Sequence, residues 1–221
     1  MNITELKKQI RKHYSFLKLI KSAYIYGSVL SDRFREGKSD VDVLFICKDC
    51  NDPSNFLRKI KTLNKTIKIK MDVNVVFYGE FIKRWHIYRP PTYYIGIKLA
   101  NELLWGEDLI KRVRIDEVKP IDVYKRVVDL AQGIRGVYLN GKKEDFWIEK
   151  YHGWLKISIL EILFLHGKFD LNFESGFAAL VKKYPSLESC GILRNKSVSI
   201  ADLSMVAEKL RLHALRNIVK K

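Results

Sequence analysis

Two hydrophobic patterns divide this 221-residue chain: strand-like runs stop at Tyr78, and helical periodicity fills everything from Pro120 onward. Strands gathered in one half and helices in the other predict an α+β head followed by a helical bundle. In the head, Ile3, Leu6, Ile10, Tyr14 and Leu17 recur at helical steps, with Asn2 and Glu5 in capping positions, which predicts an amphipathic helix over 3–20. A β-prone run, Ala23–Tyr26, follows, and then Val41–Cys47, apolar except for Asp42, which reads as a buried central strand. Asp52-Pro53-Ser54 opens a basic helix with Phe56, Leu57, Ile60 and Leu63 facing inward. Over 67–78 the alternation sets Ile67, Ile69, Met71, Val73 and Val75 against Lys68, Lys70, Asp72 and Asn74, so Asp72 falls on the polar face of a third strand. Helical pieces are expected at 81–88 and 92–104, separated by the stop Arg89-Pro90-Pro91. Further helices are expected at 120–139, 143–166, 174–184 and 199–219. The last has a Ser199/Asp202 capping box and a Leu203, Val206, Leu210 stripe. The division between the halves lies between Trp105 and Pro120, giving domains 1–115 and 116–221.

Lys and Arg number 41 against 25 Asp and Glu, a net charge of +16 that favours an anionic partner such as a nucleotide, a nucleic acid or an acidic protein. The positive residues are spread along the chain, so a solvated basic surface explains them equally well. The apolar stretch Ile157–Leu165 is broken by Ser158 and Glu161, and the N-terminus carries charges where a leader would be apolar. No membrane span or secretion signal is expected, and three cysteines make no disulfide framework, so a cytoplasmic protein is expected. Cys47 and Cys50 have CxxC spacing but lack two further ligands nearby; Cys47 reads as a strand residue.

Chemistry concentrates at Gly27-Ser28 and, eleven residues on, Ser39-Asp40-Val41-Asp42. A residue without Cβ lets backbone amides approach a phosphate, and the Ser28 hydroxyl adds a donor. If Ser28 opens a short helix over 28–35, its positive end faces the same phosphates. Asp40 and Asp42, two apart, share a strand face roughly 6–7 Å apart along the backbone, and Asp72 is in phase to supply a third carboxylate. Three such groups repel one another unless a cation lies between them, and Mg²⁺, which keeps open positions for phosphate oxygens, suits the need. Such a site can run attack of an acceptor hydroxyl on an α-phosphorus with pyrophosphate leaving.

Tyr26-Gly27-Ser28, Ser39-Asp40-Val41-Asp42-Val43 and the later Asp72 resemble the nucleotidyltransferase superfamily related to DNA polymerase β, whose pattern is hG[GS], a gap of about ten residues, Dh[DE]h and a third strand acid, h being apolar. The resemblance covers residues 22–78 and is nearest to the minimal and kanamycin nucleotidyltransferase-like branch. It implies a mixed sheet flanked by helices and a helical domain that binds the acceptor or forms a homodimer. It further implies that Gly27 and Ser28 contact the triphosphate of an NTP, ATP foremost. Asp40, Asp42 and Asp72 would ligate Mg²⁺, as two ions, or Mn²⁺, and Asp72 would assist deprotonation of the acceptor. One departure stands out: where many relatives have an Arg soon after Gly-Ser, this chain has Val29-Leu30, so a phosphate cation must come from Arg33, Arg35 or Lys38, or is missing.

The acceptor is expected to be a hydroxyl of a small molecule or protein. The alternatives are RNA, on the strength of the charge, and a weakly catalytic antitoxin-like partner of a helical HEPN-type toxin. The chain itself has no Arg followed by His at that toxin's spacing. In the helical half, Glu149 reads as surface and His152 as a packed, hydrogen-bonded residue. Glu161, among Ile159, Leu160, Ile162 and Leu163, is expected to pair with a Lys or Arg of another helix. Trp147, Tyr151, Trp154 and Leu155 read as bundle core or dimer seam before any stacking platform.

Overall fold

In the computed structural model, residues 3–30, 40–83, 91–141, 144–168, 170 and 172–218 are described, and they divide into two compact units, residues 1–114 and 115–221. Asn2, Arg33, Arg35, Lys38, Ser39, Arg89 and Pro90, with most of the expected helix at 81–88, lie outside the described residues.

The first unit is built on a four-stranded mixed sheet. Its strands are β1 (Ile20–Tyr26), β2 (Val41–Cys47), β3 (Met71–Phe77) and β4 (Asn101–Gly106), in the order β3-β2-β1-β4. β1 runs antiparallel to both β2 and β4, and β2 runs parallel to β3. The central strand expected at Val41–Cys47 forms with those limits, fully buried apart from Asp42. Its odd-numbered residues Val41, Val43, Phe45 and Cys47 join Ala23, Ile25 and Leu104 in one core. That core also holds Leu6, Ile10 and Tyr14 of α1 (Ile3–Tyr14) and Phe56 and Ile60 of α2 (Pro53–Thr66). The side chain of Asp52 accepts from the Asn55 amide and caps α2, as the Asp-Pro-Ser signature leads one to expect.

Three boundaries differ from the pattern reading. α1 stops at Tyr14, because from Ile20 the backbone is taken into the sheet. β3 begins at Met71, although Ile67–Lys70 alternates like a strand: the parallel ladder starts only at Val41↔Met71, so the residues before it have no strand beside them. The expected helix at 92–104 is two elements. α4 (Pro91–Leu99) ends, and Asn101–Gly106 pairs with β1 as β4. A short α3 (Tyr78–Lys83) directly follows β3.

The second unit is helical, with α5 (Pro120–Asn140), α6 (Glu144–Phe164), α7 (Phe173–Lys183), a 3-10 stretch Pro185–Arg194 that the periodicity did not reveal, and α8 (Ile200–Ile218). Val127, Ile134, Leu155, Ile159, Leu180, Leu203, Val206 and Leu210 are among its fully buried residues. The Ser199/Asp202 box forms as expected: the Asp202 amide donates to Ser199 Oγ at 3.1 Å, and the Ser199 amide donates to Asp202 Oδ2 at 2.9 Å. Glu161, 2% exposed, pairs with Arg126 of α5 at 2.6 Å. His152 Nε2 lies 2.8 Å from the Leu193 carbonyl, and burial lowers its pKa. Glu149 is exposed. Leu155 and Tyr151 are core residues, whereas Trp154 is partly exposed. No helix among the described residues is long and apolar enough to cross a membrane.

Candidate active site

Register determines what meets on the sheet face away from α1 and α2. Asp42 of β2 lies opposite Asp72 of β3 on one side and Tyr26 of β1 on the other, and Tyr26 in turn lies opposite Asn101 of β4. Residues paired in register share a face, so Asp72, Asp42, Tyr26 and Asn101 make a polar row across all four strands, neighbouring strands being about 4.8 Å apart. The next rows inward are more apolar: Leu44 lies between Asn74 and Tyr24, and Ile46 and Val76 beyond them are buried. The acids thus sit at one end of a face whose other end is closed.

Gly27 follows β1 immediately, at φ +79°, a conformation L side chains rarely adopt. A Cβ built there would stand 2.5 Å from Asp42 Oδ2, so the absent side chain is what lets this carboxylate lie against the turn. The Gly27 amide donates to the Ala100 carbonyl at 3.4 Å. Ser28 stands in a 3-10 turn, Gly27–Leu30, and Val29 of that turn is buried in the core. The described part of the expected 28–35 helix is this single turn.

Tyr26 is half-buried beside the acids. Asn74 Nδ2 donates to its hydroxyl at 3.1 Å, and the hydroxyl of Tyr93, on α4, lies 2.9 Å away. Burial, then the proximity of Tyr93 and of the Asp42 and Asp72 carboxylates, pushes the Tyr26 pKa far above that of a free tyrosine, so it remains a neutral hydrogen-bonding group. Asn74 and Tyr93 escaped the sequence reading; the only signal was that Asn74 shares the phase of Asp72. Asn101 turns its amide to the carbonyls of Ile97 and Lys98 and closes the end of α4.

Of the three acids, Asp42 and Asp72 are brought abreast, while Asp40, just ahead of β2, is engaged by Lys70, whose ammonium is 2.6 Å from Asp40 Oδ1. No three His, Cys, Asp or Glu side chains among the described residues are gathered closely enough to hold a metal ion. The donor chemistry nevertheless suits a hard divalent cation. Two carboxylates stand side by side with like charge, and Gly27 leaves room for one of them. Asp40 Oδ1 is buried and, among the described residues, receives no hydrogen bond; its ion-pair partner is Lys70. Away from this face, a hollow of about 400 Å³ lies beside α1 and α2, lined by Phe16, Leu17, Arg58 and Lys59 among others; it holds no carboxylate.

Cys47 is a buried strand residue, and burial followed by the neighbouring Cys50 pushes its thiol up to about 12.

Residues 3–94 match the family model described as a nucleotidyltransferase domain. No curated protein matches the chain in sequence. Among solved structures, the spectinomycin adenyltransferase of Enterococcus faecialis, crystallised with ATP and spectinomycin, aligns over 96% of this chain and 98% of its own at 17% identity and a TM-score of 0.53. A nucleotidyltransferase-like protein of Exiguobacterium sibiricum aligns over 98% of this chain and 75% of its own at 11% identity and a TM-score of 0.34. Residues 3–94 thus match the nucleotidyltransferase domain family to which the Gly-Ser and Asp-x-Asp pattern pointed, and the likeness to the adenyltransferase structure is one of fold.

Proposed function

We propose that the chain is a member of the nucleotidyltransferase superfamily and a metal-dependent enzyme that moves a nucleoside monophosphate from a nucleoside triphosphate, ATP foremost, onto a hydroxyl of a small molecule or protein. The observation that carries the reading is the in-register pair Asp42↔Asp72 set against Gly27, with Tyr26 between the acids and α4. That the spectinomycin adenyltransferase was solved with ATP and spectinomycin supports ATP and a small-molecule acceptor such as spectinomycin as the first pair to try.

Asp42 and Asp72, with Asp40 once it leaves Lys70, are the groups that would hold Mg²⁺ or Mn²⁺. Bound there, the metal supplies positive charge to the phosphates and to the attacking oxygen. The chain's own groups do the rest. The turn at Gly27-Ser28 offers backbone amides and a hydroxyl to the triphosphate. Asp72, exposed on the edge strand, accepts the proton of the acceptor hydroxyl as its oxygen bonds to the α-phosphorus. The bond from that phosphorus to the bridging oxygen breaks, and the electron pair leaves with pyrophosphate. Asn74, through Tyr26, fixes one wall of the row without carrying charge. Acceptor binding or homodimer formation by the helical unit belongs to the same proposal.

The test is transfer of label from α-³²P-labelled ATP, GTP, CTP and UTP, with Mg²⁺, to aminocyclitol and aminoglycoside acceptors, to the protein itself and to RNA. Transfer lost in Asp42→Asn plus Asp72→Asn supports the reading; transfer unchanged in that variant overturns it. The +16 charge keeps RNA as a second acceptor, and its signature is binding that weakens steeply with salt.

A further inference from the structure

Lys70 occupies a position that the proposed chemistry has not yet used. It directly precedes β3 with the side-chain phase of Asp72 and Asn74, and its carbonyl accepts from the Val41 amide at 2.9 Å, which ties it to the start of β2 beside Asp40. Its ammonium lies 2.6 Å from Asp40 Oδ1, a buried oxygen that receives no hydrogen bond among the described residues. The lysine itself is 70% exposed. An exposed ammonium on a flexible stem is a weakly held partner, easily exchanged. Meanwhile Val29, where many relatives have an arginine, is turned into the core, so the turn itself presents no cation there.

Resting on the nucleotidyltransferase reading, we propose that Lys70 is a resident counter-ion with two positions. In the metal-free protein it neutralises Asp40. When a divalent cation takes that carboxylate, the ammonium moves to the phosphates of the nucleoside triphosphate and supplies the positive charge that Val29 does not. Metal and nucleotide binding are then coupled through one side chain: the metal releases Lys70, and the nucleotide keeps it away from Asp40.

The experiment uses the full chain with Lys70→Met, which keeps the length of the side chain and removes its charge, and Lys70→Arg. Mn²⁺ binding without nucleotide is read by electron paramagnetic resonance. Binding of a non-hydrolysable α,β-methylene ATP analogue in Mg²⁺ is read by calorimetry. The expected result is Mn²⁺ affinity several-fold higher in Lys70→Met, because no ammonium competes, and analogue affinity lower by about tenfold, the loss of one charge-assisted contact. Lys70→Arg should restore the analogue affinity, which a merely structural lysine would not require. Mn²⁺ affinity unchanged or lower in Lys70→Met overturns the counter-ion role, and analogue affinity unchanged overturns the phosphate role. A wild-type protein that binds neither Mn²⁺ nor the analogue is a different failure: it removes the nucleotidyltransferase reading itself, and this proposal with it.

Discussion

Three glutamates of the helical unit and the aspartates of the candidate site have different partners. In the helical unit the three meet arginine: Glu161 with Arg126 at 2.6 Å, Glu208 with both Arg135 and Arg211 at 2.7 Å, and Glu174 with Arg194 at 2.8 Å. On the sheet, Asp42 and Asp72 are placed side by side by a parallel register, like charge next to like charge, and Asp40 is met by a lysine that is mostly in solvent. An arginine's fork gives a carboxylate a well-oriented partner, whereas two acids brought abreast repel each other and favour a cation close to them. The first arrangement holds helices together, and the second is the place where the proposed function needs a cation.

The strongest way to break this contrast is Asp42→Asn with Asp72→Asn. If the pair is there for chemistry, label transfer falls by about a thousandfold or more. The metal-free protein should meanwhile melt no lower than wild type, because removing like charges directly opposite each other relieves a repulsion worth up to about 1 kcal/mol. A clear drop in melting temperature would move these acids into the structural class with Glu161. The reverse experiment is Arg126→Met, which leaves Glu161 buried without its guanidinium. Unfolding free energy should fall by about 3–5 kcal/mol, and the double variant Arg126→Met/Glu161→Leu should recover most of it. Failure of the double variant to recover would mean that the pair does more than cancel charge.

Gly27 sharpens the sheet side of the comparison. Gly27→Ala puts a Cβ where Asp42 Oδ2 lies and forces alanine to φ +79°. Displacing the carboxylate by about 1 Å should reduce transfer up to about a hundredfold, while unfolding by urea registers a loss of only about 1–2 kcal/mol. Equal losses in Gly27→Ala and in a Gly141→Ala control, where φ is +62° but nothing lies within 4 Å of the added Cβ, would show that strain alone is at work.

What was legible in the sequence follows from what is local. Val41–Cys47 could be delimited because a continuous apolar run between polar ends has few alternatives to a buried strand, and the Ser199 and Asp52 caps are written within four residues. β4 was not legible: Asn101-Glu102-Leu103-Leu104 continues the helical spacing of Tyr94, Ile95 and Ile97, and only the nonlocal ladder to Tyr24–Tyr26 makes it a strand. The same holds at the site. The identities of Gly27, Asp40, Asp42 and Asp72 stood in a motif, whereas the coupling of Asp40 to Lys70, and of Tyr26 to Asn74 and Tyr93, depends on register across 29 residues and more of intervening chain. Lys70 in particular reads as the solvated side of an alternating strand until β2 is laid beside it.

The smallest expected effect is on pH, and it separates the units again. His213 of α8 is buried against Tyr184, with ring centroids 4.4 Å apart, near Tyr124 and Arg216, and Tyr184 also bonds His166 at 2.7 Å. Burial first, then the charges of His166 and Arg216, lowers the His213 pKa, as burial lowers that of His152. A histidine with a depressed folded-state pKa is neutral when folded and protonated when unfolded, so the unfolded chain takes up more protons. Stability contributed in this way is present above the unfolded value of about 6.5 and is lost as the pH falls below it. Urea midpoints should therefore decline between pH 7.5 and 5.5, and His213→Leu should flatten the decline. The Asp42→Asn/Asp72→Asn protein should keep the wild-type slope over that range, since its missing groups belong to the other unit. A slope unchanged in His213→Leu would mean that the imidazole binds its proton equally well in the folded and unfolded chain, and a steeper decline that Tyr184 holds it as a cation.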